Sequence, residues 1–171
     1  LSKASRLKVI SRHGVGYDNV DTTYLKQNNI TLLITATANA IAVSEHVFYL
    51  MLTISKNFLN LDNEVRLGNF KKNINNFSTF ELSNKEILIA GFGRIGRNIL
   101  RKCNGFDMKV KVYDPFVDKE TIQKMGGKKV EDFDTALRSL DFLSIHMPLN
   151  EKTRNLINLK KMKEMKKTSI I

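Results

Sequence analysis

Residues 87–96 read ILIAGFGRIG, in which an apolar run leads directly into a G-x-G-x-x-G pattern. Four consecutive apolar residues are typical of a parallel strand that is buried on both faces. A helix is predicted next, over residues 97–104 with Gly105 closing it at the C′ position, and then a strand over residues 110–113 that ends at Asp114. This order of strand, glycine loop, helix, strand and acidic residue predicts a βαβ unit that binds a dinucleotide.

Each of the three glycines has a physical reason in such a unit. Gly91 allows a tight turn, Gly93 lets the backbone approach a pyrophosphate, and Gly96 lets the helix pack closely on the strand. The phosphates would then accept hydrogen bonds from the backbone amides of Arg94 and Ile95, in the field of the helix dipole.

Asp114 lies eighteen residues after Gly96, close to the spacing that the dinucleotide fingerprint requires. Its carboxylate would accept hydrogen bonds from the adenosine ribose and repel a 2′-phosphate, which favours NAD over NADP. A glycine pattern alone is a weak signal that kinases also carry, but the chain lacks the H-R-D and D-F-G motifs of a kinase. The alternative, a plain turn and a plain strand end, leaves the spacing unexplained.

The rest of the chain also alternates between strands and helices. This alternation predicts an α/β fold, a Rossmann-type parallel sheet with helices on both faces. The other predicted elements are strands at residues 8–10, 30–34 and 142–145, helices at 21–28, 39–61 and 119–125, a helix from Asp132 or Asp134 to Leu140, a loop over 67–84, and a strand beginning at 168–171.

The composition limits the class of protein. The chain has 171 residues, of which 42% are hydrophobic and 26% charged, as in a soluble globular domain. A single cysteine, Cys103, excludes an internal disulfide framework and a cysteine-based zinc site, and it is predicted to fill the core. No metal site is expected, and a reducing, cytoplasmic location fits best. The longest apolar stretch, residues 47–54, is too short to cross a bilayer.

The formal net charge of +11 raises the question of a polyanionic partner. The lysines are dispersed along the chain, however, without the interleaved arginines and aromatics that stack bases. We therefore expect no nucleic-acid partner, and a basic nucleic-acid-binding module is the least favoured alternative. The charge would instead attract small anionic metabolites.

The predicted helix over residues 39–61 has an unusually wide apolar face. A face this wide is usually buried on two sides, between domains or between subunits. We therefore expect a homodimer. The apolar residues recur at spacings of three and four, and they are Ile41, Val43, Val47, Phe48, Leu50, Met51, Ile54, Phe58 and Leu61.

The three histidines have different expectations. His46 lies inside this helix and is predicted to be a satisfied buried or interface residue rather than a catalytic one. His13 lies in a glycine loop, where contact with an anionic substrate and a plain surface role are equally favoured. His146 follows a strand at its carboxyl end, where ligands of parallel sheets bind, so a cofactor contact is expected.

Taken together, these segments resemble the D-isomer-specific 2-hydroxyacid dehydrogenases, most closely their phosphoglycerate dehydrogenase branch. The resemblance covers essentially the whole chain, and no single motif carries it. The matching segments are residues 12–21, Asn39-Ala40, 43–46, 81–85, 91–96, Tyr113-Asp114-Pro115 and 146–149, with Thr153 and 155–157.

The resemblance implies roles for particular residues. Gly14, Val15 and Gly16 would hold the carboxylate of an anionic 2-hydroxy or 2-oxo acid through backbone amides, with Val15 also near the nicotinamide. The implied NAD-binding residues are Gly91, Gly93, Arg94, Ile95, Gly96, Asp114, His146, Met147, Pro148 and Thr153.

The resemblance also implies two domains. Residues 1–37 would be the end of a flavodoxin-like substrate-binding segment, and residues 38–171 an NAD-binding domain that is incomplete at its C-terminus. The chain departs from the family at Thr37-Ala38, where a proline commonly precedes the equivalent of Asn39, which bears on the conformation of the hinge.

The implied reaction is reversible hydride transfer between NAD and a D-2-hydroxy acid, with D-3-phosphoglycerate of serine biosynthesis as the first expectation. The family's catalytic arginine, glutamate and histidine match no residue here and are expected beyond residue 171, so this chain alone is expected to be inactive. The alternative is an NAD-sensing, corepressor-like binding protein of the same fold.

Overall fold

The computed structural model describes residues 1–35 and 37–171. Strands and helices alternate through most of it, as the sequence predicts. The elements are β1 (Val9–Arg12), α1 (Thr22–Gln27), β2 (Thr31–Ile34), α2 (Ala40–Ser55), α3 (Phe58–Arg66), α4 (Phe70–Asn73), β3 (Glu86–Ala90), α5 (Arg94–Gly105), β4 (Lys109–Tyr113), α6 (Lys119–Lys124), β5 (Lys128–Lys129), α7 (Phe133–Leu137), β6 (Phe142–Ile145) and α8 (Leu159–Glu164).

The main sheet has the strand order β5-β4-β3-β6, and every pair in it is parallel. The central strand β3 starts beside β4 with Glu86 opposite Lys109, and it pairs with β6 from Ile87 onward. In the described residues before position 36, β1 and β2 form a separate parallel pair joined through α1. All strands of the main sheet therefore end at one edge, which is where a ligand of such a sheet binds.

Helices cover both faces of this sheet, because the side chains of β3 alternate between two cores. Ile87 and Ile89 pack on one side, with α2, α5 and α6. Leu88 and Ala90 pack on the other side, with α7 and the end of α8. The predicted fold class, an α/β Rossmann-type sheet, is confirmed.

Cys103 lies on the inner face of α5 and is fully buried in the first of these cores. Burial disfavours the charged thiolate and raises the pKa of this thiol to about 12. The predicted role of Cys103 as a core residue is confirmed.

The single helix predicted over residues 39–61 is wrong, because α2 ends at Ser55 and α3 begins at Phe58. Asn57 between them has a left-handed backbone, with φ of 49°, a conformation that asparagine tolerates better than most residues. The returning chain fixes the break, since the Phe80 amide donates to the Ser55 carbonyl at 2.9 Å and the Lys56 ammonium donates to the Phe80 carbonyl at 3.0 Å.

The end of α5 also differs from the prediction. Gly105 is the last residue of the helix rather than its left-handed cap, and Asp107 takes the left-handed conformation, with φ of 53°. The Met108 amide then reaches back to the Cys103 carbonyl at 3.1 Å, which closes the helix without a glycine.

Other differences are smaller. The loop predicted over residues 67–84 contains α4 and a 3₁₀ turn at Ile74–Asn76, while β5 and α8 were not predicted. Of the two candidate caps for α7, Asp132 is the one that accepts hydrogen bonds from the helix amides. The predicted strand at residues 168–171 is reduced to a single parallel bridge between Ile170 and Phe142.

An ion pair stabilises the sheet away from the edge at which the carboxyl ends of its strands lie. The Lys111 ammonium lies 2.7 Å from Glu86 Oε1, and each side chain is 21% exposed. Ser139 donates to the same carboxylate oxygen at 2.6 Å. Burial alone would raise the pKa of Glu86, but the hydrogen bonds from Lys111 and Ser139 and the Lys111 charge outweigh it, so the pKa is lowered.

No helix within the described residues combines the length and the apolar character needed to cross a membrane.

Candidate dinucleotide-binding site

A cavity of about 530 Å³ opens at the carboxyl ends of β3, β4 and β6. Its place follows from the topology, because parallel strands deliver their ends and the loops after them to one edge of the sheet. The lining residues are Gly91, Phe92, Gly93, Tyr113, Asp114, Pro115, Phe116, His146, Met147, Pro148, Asn150, Lys152, Thr153 and Leu156.

Gly91 and Gly96 are glycines because the fold leaves no room for a side chain. Gly91 has φ of +99°, and a Cβ there would lie 2.7 Å from the carbonyl carbon and oxygen of His146. A Cβ on Gly96 would overlap the carbonyl oxygen of Gly91 and press on the Ile89 side chain. The tight turn and the close packing of helix on strand are therefore both present.

Gly93 differs from the other two glycines of the pattern. Its φ is −74°, which any residue can adopt, and apart from its chain neighbours no described residue has an atom within 4 Å of the position of a Cβ. It is the N-cap residue of α5 and provides no side-chain acceptor for the first-turn amides. The space next to Gly93 is therefore open at the end of the helix that favours an anion, and a diphosphate fits it chemically.

Asp114 is held in place between two backbone donors at the end of β4. Its Oδ2 accepts a hydrogen bond from the Phe92 amide at 2.7 Å, and its Oδ1 accepts one from the Phe116 amide at 2.8 Å. Each carboxylate oxygen can accept a further hydrogen bond. The carboxylate is therefore fixed at the cavity wall with acceptor capacity for a sugar hydroxyl.

His146 forms the wall of the cavity where β6 ends. Its amide donates to the Ala90 carbonyl at 2.7 Å, and its Nε2 lies 2.7 Å from Ser144 Oγ. Burial lowers the pKa of the ring from its ordinary value of 6.5, so the imidazole is neutral near neutral pH. A neutral ring can both donate and accept a hydrogen bond.

The loop after β6 is braced internally. The Thr153 hydroxyl donates to the Pro148 carbonyl at 2.6 Å, and the Asn150 amide donates to the Thr153 hydroxyl oxygen at 2.9 Å. The Asn150 side chain in turn accepts from the Lys152 and Thr153 amides. Thr153 thus lines the cavity while its hydroxyl proton is used within the loop.

Some predicted site residues lie elsewhere. Gly14, Val15 and Gly16 follow β1 and do not line this cavity; the Gly14 amide donates to Thr35 Oγ1 at 2.6 Å. Arg94 and Ile95 do not line it by their side chains either, although their amides begin α5, and the Ile95 side chain packs against the core.

Two histidines lie outside the cavity. His13 is exposed in the loop after β1. The expectation that His46 is buried within this chain is wrong, because its ring is exposed and stacks on Tyr49 with centroids 5.7 Å apart. It lies on the outer face of α2, and an interface role for it stays a prediction.

The cavity also contains residues that sequence reasoning did not assign. Phe116 is 94% exposed at its rim, and an aromatic residue directly after Asp114-Pro115 in a polar loop is a signal that could have revealed it. Asn150 and Lys152 gave no such signal, because polar residues in a loop are ordinary. Within residues 1–35 and 37–171, no group of histidine, cysteine and acidic side chains is arranged to hold a metal ion.

The chain is similar to known proteins over its whole length. The family described as "D-isomer specific 2-hydroxyacid dehydrogenase, NAD binding domain" matches residues 48–171. The D-3-phosphoglycerate dehydrogenase of Methanocaldococcus jannaschii is 33% identical over 171 residues, which are all of this chain and 32% of that protein. The glyoxylate reductase of Thermococcus litoralis is also 33% identical, over all of this chain and 53% of that protein.

Solved structures show the same fold. The Aquifex aeolicus D-lactate dehydrogenase complexed with NAD and lactic acid superposes with a TM-score of 0.85 at 31% identity, covering 97% of this chain and 49% of that one. A formate dehydrogenase from Granulicella gives a TM-score of 0.88 at 25% identity, covering 96% of this chain and 44% of that one. The chain thus spans between about a third and about half of the length of these relatives.

Proposed function

The chain belongs to the family of D-isomer specific 2-hydroxyacid dehydrogenases and carries their NAD-binding domain, and we propose that it is the cofactor-binding part of an enzyme that oxidises the CH–OH group of a D-2-hydroxy acid. NAD supplies the hydride acceptor when it is bound. The residues of this chain bind the cofactor, orient it and line its site.

The observation that supports this proposal is the pairing of an open anion position with a fixed carboxylate in one cavity. We place the diphosphate beside Gly93, on the amides of Arg94 and Ile95 at the start of α5. We place the adenosine ribose at Asp114, whose two oxygens are already oriented by the Phe92 and Phe116 amides. A carboxylate at that point repels a 2′-phosphate and favours NAD over NADP.

The remaining wall would be formed by the loop that follows β6. We propose that His146, Met147 and Pro148 contact the cofactor, and that Thr153 contributes indirectly by holding this loop against Pro148. The neutral His146 ring adds no charge to the site, so the attraction for the diphosphate comes from the helix terminus and the basic chain.

Isothermal titration of the chain with NAD and NADP tests the cofactor site. We expect Asp114→Asn to weaken NAD binding by about tenfold, since a hydrogen bond to a charged group contributes roughly 1.5–3 kcal/mol, and to narrow the preference over NADP. Glu120→Gln is the matched control, because it removes one negative charge from an exposed position on α6. Absence of heat when NAD is added to the wild-type chain, or equal NAD affinities of the two variants, would contradict the proposal.

We propose that the substrate carboxylate is held by the loop after β1. Gly14 has φ of +118° and donates its amide to Thr35, so it forms the turn and leaves the amides of Val15 and Gly16 to meet the substrate. D-3-Phosphoglycerate is our first candidate, because the phosphoglycerate dehydrogenases of M. jannaschii and Archaeoglobus fulgidus are 33% and 34% identical over the full chain. A cytoplasmic location and a role in serine biosynthesis are part of this proposal.

A chimera tests the enzymatic part. The 171 residues of this chain would replace the matching stretch of the M. jannaschii enzyme, which supplies the arginine, glutamate and histidine that this chain does not match. We expect NADH formation with D-3-phosphoglycerate from the chimera and none from the chain alone. A folded chimera that binds NAD but oxidises no 2-hydroxy acid would instead favour the NAD-sensing alternative.

We further propose that two copies of the chain associate through exposed apolar residues of α2 and of the start of α3. Sedimentation should show a dimer for the wild type and for Leu159→Lys, which changes an exposed apolar residue on α8, and a monomer for Ile54→Lys. A dimeric Ile54→Lys variant would contradict this arrangement. The apolar residues of α2 and the start of α3 that are about half exposed or more are Ile41, Tyr49, Leu50, Ile54, Phe58 and Leu59.

A further inference from the structure

Arg97 contacts Phe92, the residue between Gly91 and Gly93 in the glycine loop. Its Nε donates a hydrogen bond to the Phe92 carbonyl at 3.2 Å, and its guanidinium carbon lies 4.9 Å from the centre of the Phe92 ring. Its Nη1 is also 3.7 Å from the Met125 sulfur, beyond the end of α6. The Arg97 side chain is half-buried and does not line the cavity.

Phe92 in turn contacts Asp114, which lines the cavity. The amide of the same residue donates to Asp114 Oδ2 at 2.7 Å, and the ring is only 1% exposed. Arg97 therefore contacts the carbonyl and the ring of Phe92, and Asp114 accepts a hydrogen bond from its amide. Within the described part of the chain, the other backbone donor to Asp114 is the amide of the exposed residue Phe116, so Phe92 is the buried one of the two.

We propose that Arg97 is a positioning residue for the cofactor, which fixes the carbonyl and ring of Phe92 and, through the backbone of that residue, the Asp114 carboxylate that meets the adenosine ribose. This inference rests on the proposed NAD site. Without Arg97, Phe92 keeps its buried ring but loses the donor to its carbonyl and the cation on its ring face. The Phe92 amide is then less firmly directed at Asp114, and the carboxylate discriminates less between a ribose hydroxyl and a 2′-phosphate.

Two simpler roles for Arg97 predict different results. If Arg97 only stabilised the fold, its loss would lower the melting temperature and leave the ratio of NAD to NADP affinity unchanged. If it only attracted anions at a distance, its loss would weaken NADP more than NAD, because NADP carries more negative charge. A positioning role predicts the opposite change, in which NAD is weakened more than NADP.

The experiment compares Arg97→Met with Arg101→Met in the 171-residue chain. Both variants remove one positive charge from α5, and Arg101 is exposed one turn further along the helix. Dissociation constants for NAD and for NADP would be measured by calorimetry, and melting temperatures by differential scanning fluorimetry. We expect Arg97→Met to raise the dissociation constant for NAD by about tenfold and that for NADP by much less, while Arg101→Met changes neither appreciably.

Arg97→Lys keeps the charge but loses the planar group that stacks on Phe92, and it replaces Arg97→Met if that variant does not fold. We expect Arg97→Lys to reduce the ratio of NAD affinity to NADP affinity by a smaller factor than Arg97→Met does. An unchanged ratio in a folded Arg97 variant, or a larger loss for NADP than for NAD, overturns the positioning role. A wild-type chain that binds neither nucleotide overturns the proposed function itself, and this inference with it.

Discussion

Substitution of Gly93 by alanine separates binding of the cofactor from stability of the fold. The position has φ of −74°, and apart from its chain neighbours no described residue has an atom within 4 Å of a Cβ there. Alanine is therefore accommodated without strain. Replacing glycine by alanine at a compatible position stabilises a protein by about 0.4–1 kcal/mol, chiefly by restricting the unfolded chain.

The magnitudes follow from these two facts. A gain of this size raises the melting temperature by about 1–4 °C in a chain of this length. The added methyl group, however, occupies the space in which we place the diphosphate, and it disrupts hydrogen bonds between charged phosphate oxygens and backbone amides. Loss of such a bond costs roughly 1.5–3 kcal/mol, so NAD should bind about 10- to 100-fold more weakly.

Calorimetric titration with NAD and thermal unfolding of the free chain measure the two effects. Gly96→Ala is the contrasting variant, since its Cβ overlaps the Gly91 carbonyl oxygen and overpacking costs about 1–3 kcal/mol. It should melt at a lower temperature. A Gly93→Ala chain that binds NAD as tightly as the wild type would refute our placement of the diphosphate, whatever its stability.

Three further predictions concern other parts of the molecule. Phe116→Ala should weaken NAD binding by about fivefold or more if the ring stacks on the adenine, with an unchanged melting temperature because the side chain is 94% exposed; a wild-type dissociation constant would exclude that contact. The lowered pKa of Glu86 means that its stabilisation is present above its ordinary pKa of 4.5 and is lost as the pH falls through the folded-state pKa. The free energy of unfolding in urea should therefore fall less steeply with decreasing pH in Lys111→Met than in the wild type. Equal pH dependence in the two proteins would contradict a lowered pKa of Glu86. Cys103, buried and with its pKa raised to about 12, should react with N-ethylmaleimide only as fast as the chain unfolds, and rapid labelling of the folded chain would count against its burial.

The βαβ unit could be predicted from the sequence because its determinants are local. The apolar run at Ile87–Ala90 must be buried on both faces, and a strand of that kind needs helices on both sides. The glycine pattern and Asp114 then lie at fixed distances along the chain. None of these inferences requires knowledge of which distant segment packs on which.

The features that the sequence did not reveal depend on distant contacts. The break at Asn57 is fixed by Phe80, which lies 23 residues further along the chain and donates to Ser55. The apolar periodicity continues across the break, so a pattern of spacings could not detect it. The end of α5 differs from the sequence prediction for a related reason, because Asp107 has the left-handed conformation expected of Gly105.

The site shows the same division between local and distant determinants. The position of Asp114 can be predicted because it ends a strand at a defined spacing, whereas its orientation depends on the Phe92 amide, which no spacing rule describes. The loop that includes Asn150 reaches the cavity through hydrogen bonds among its own polar groups. Any polar residue in a loop can form hydrogen bonds of this kind. The sequence therefore does not indicate which polar residues form them.

The three glycines show why a match to G-x-G-x-x-G is weaker evidence for function than it first suggests. A ligand-free strand–turn–helix unit would still need Gly91, because the chain after β6 crosses it, and Gly96, because α5 packs on it. Two of the three matched positions therefore report on packing alone. Gly93 is the exception, since no contact with the described residues requires a glycine there. A bound group that occupies the open space would explain why position 93 has no side chain. Evidence for a dinucleotide site thus rests on Gly93 together with Asp114, and a protein that kept the other two glycines while filling position 93 would share this fold without sharing the cofactor.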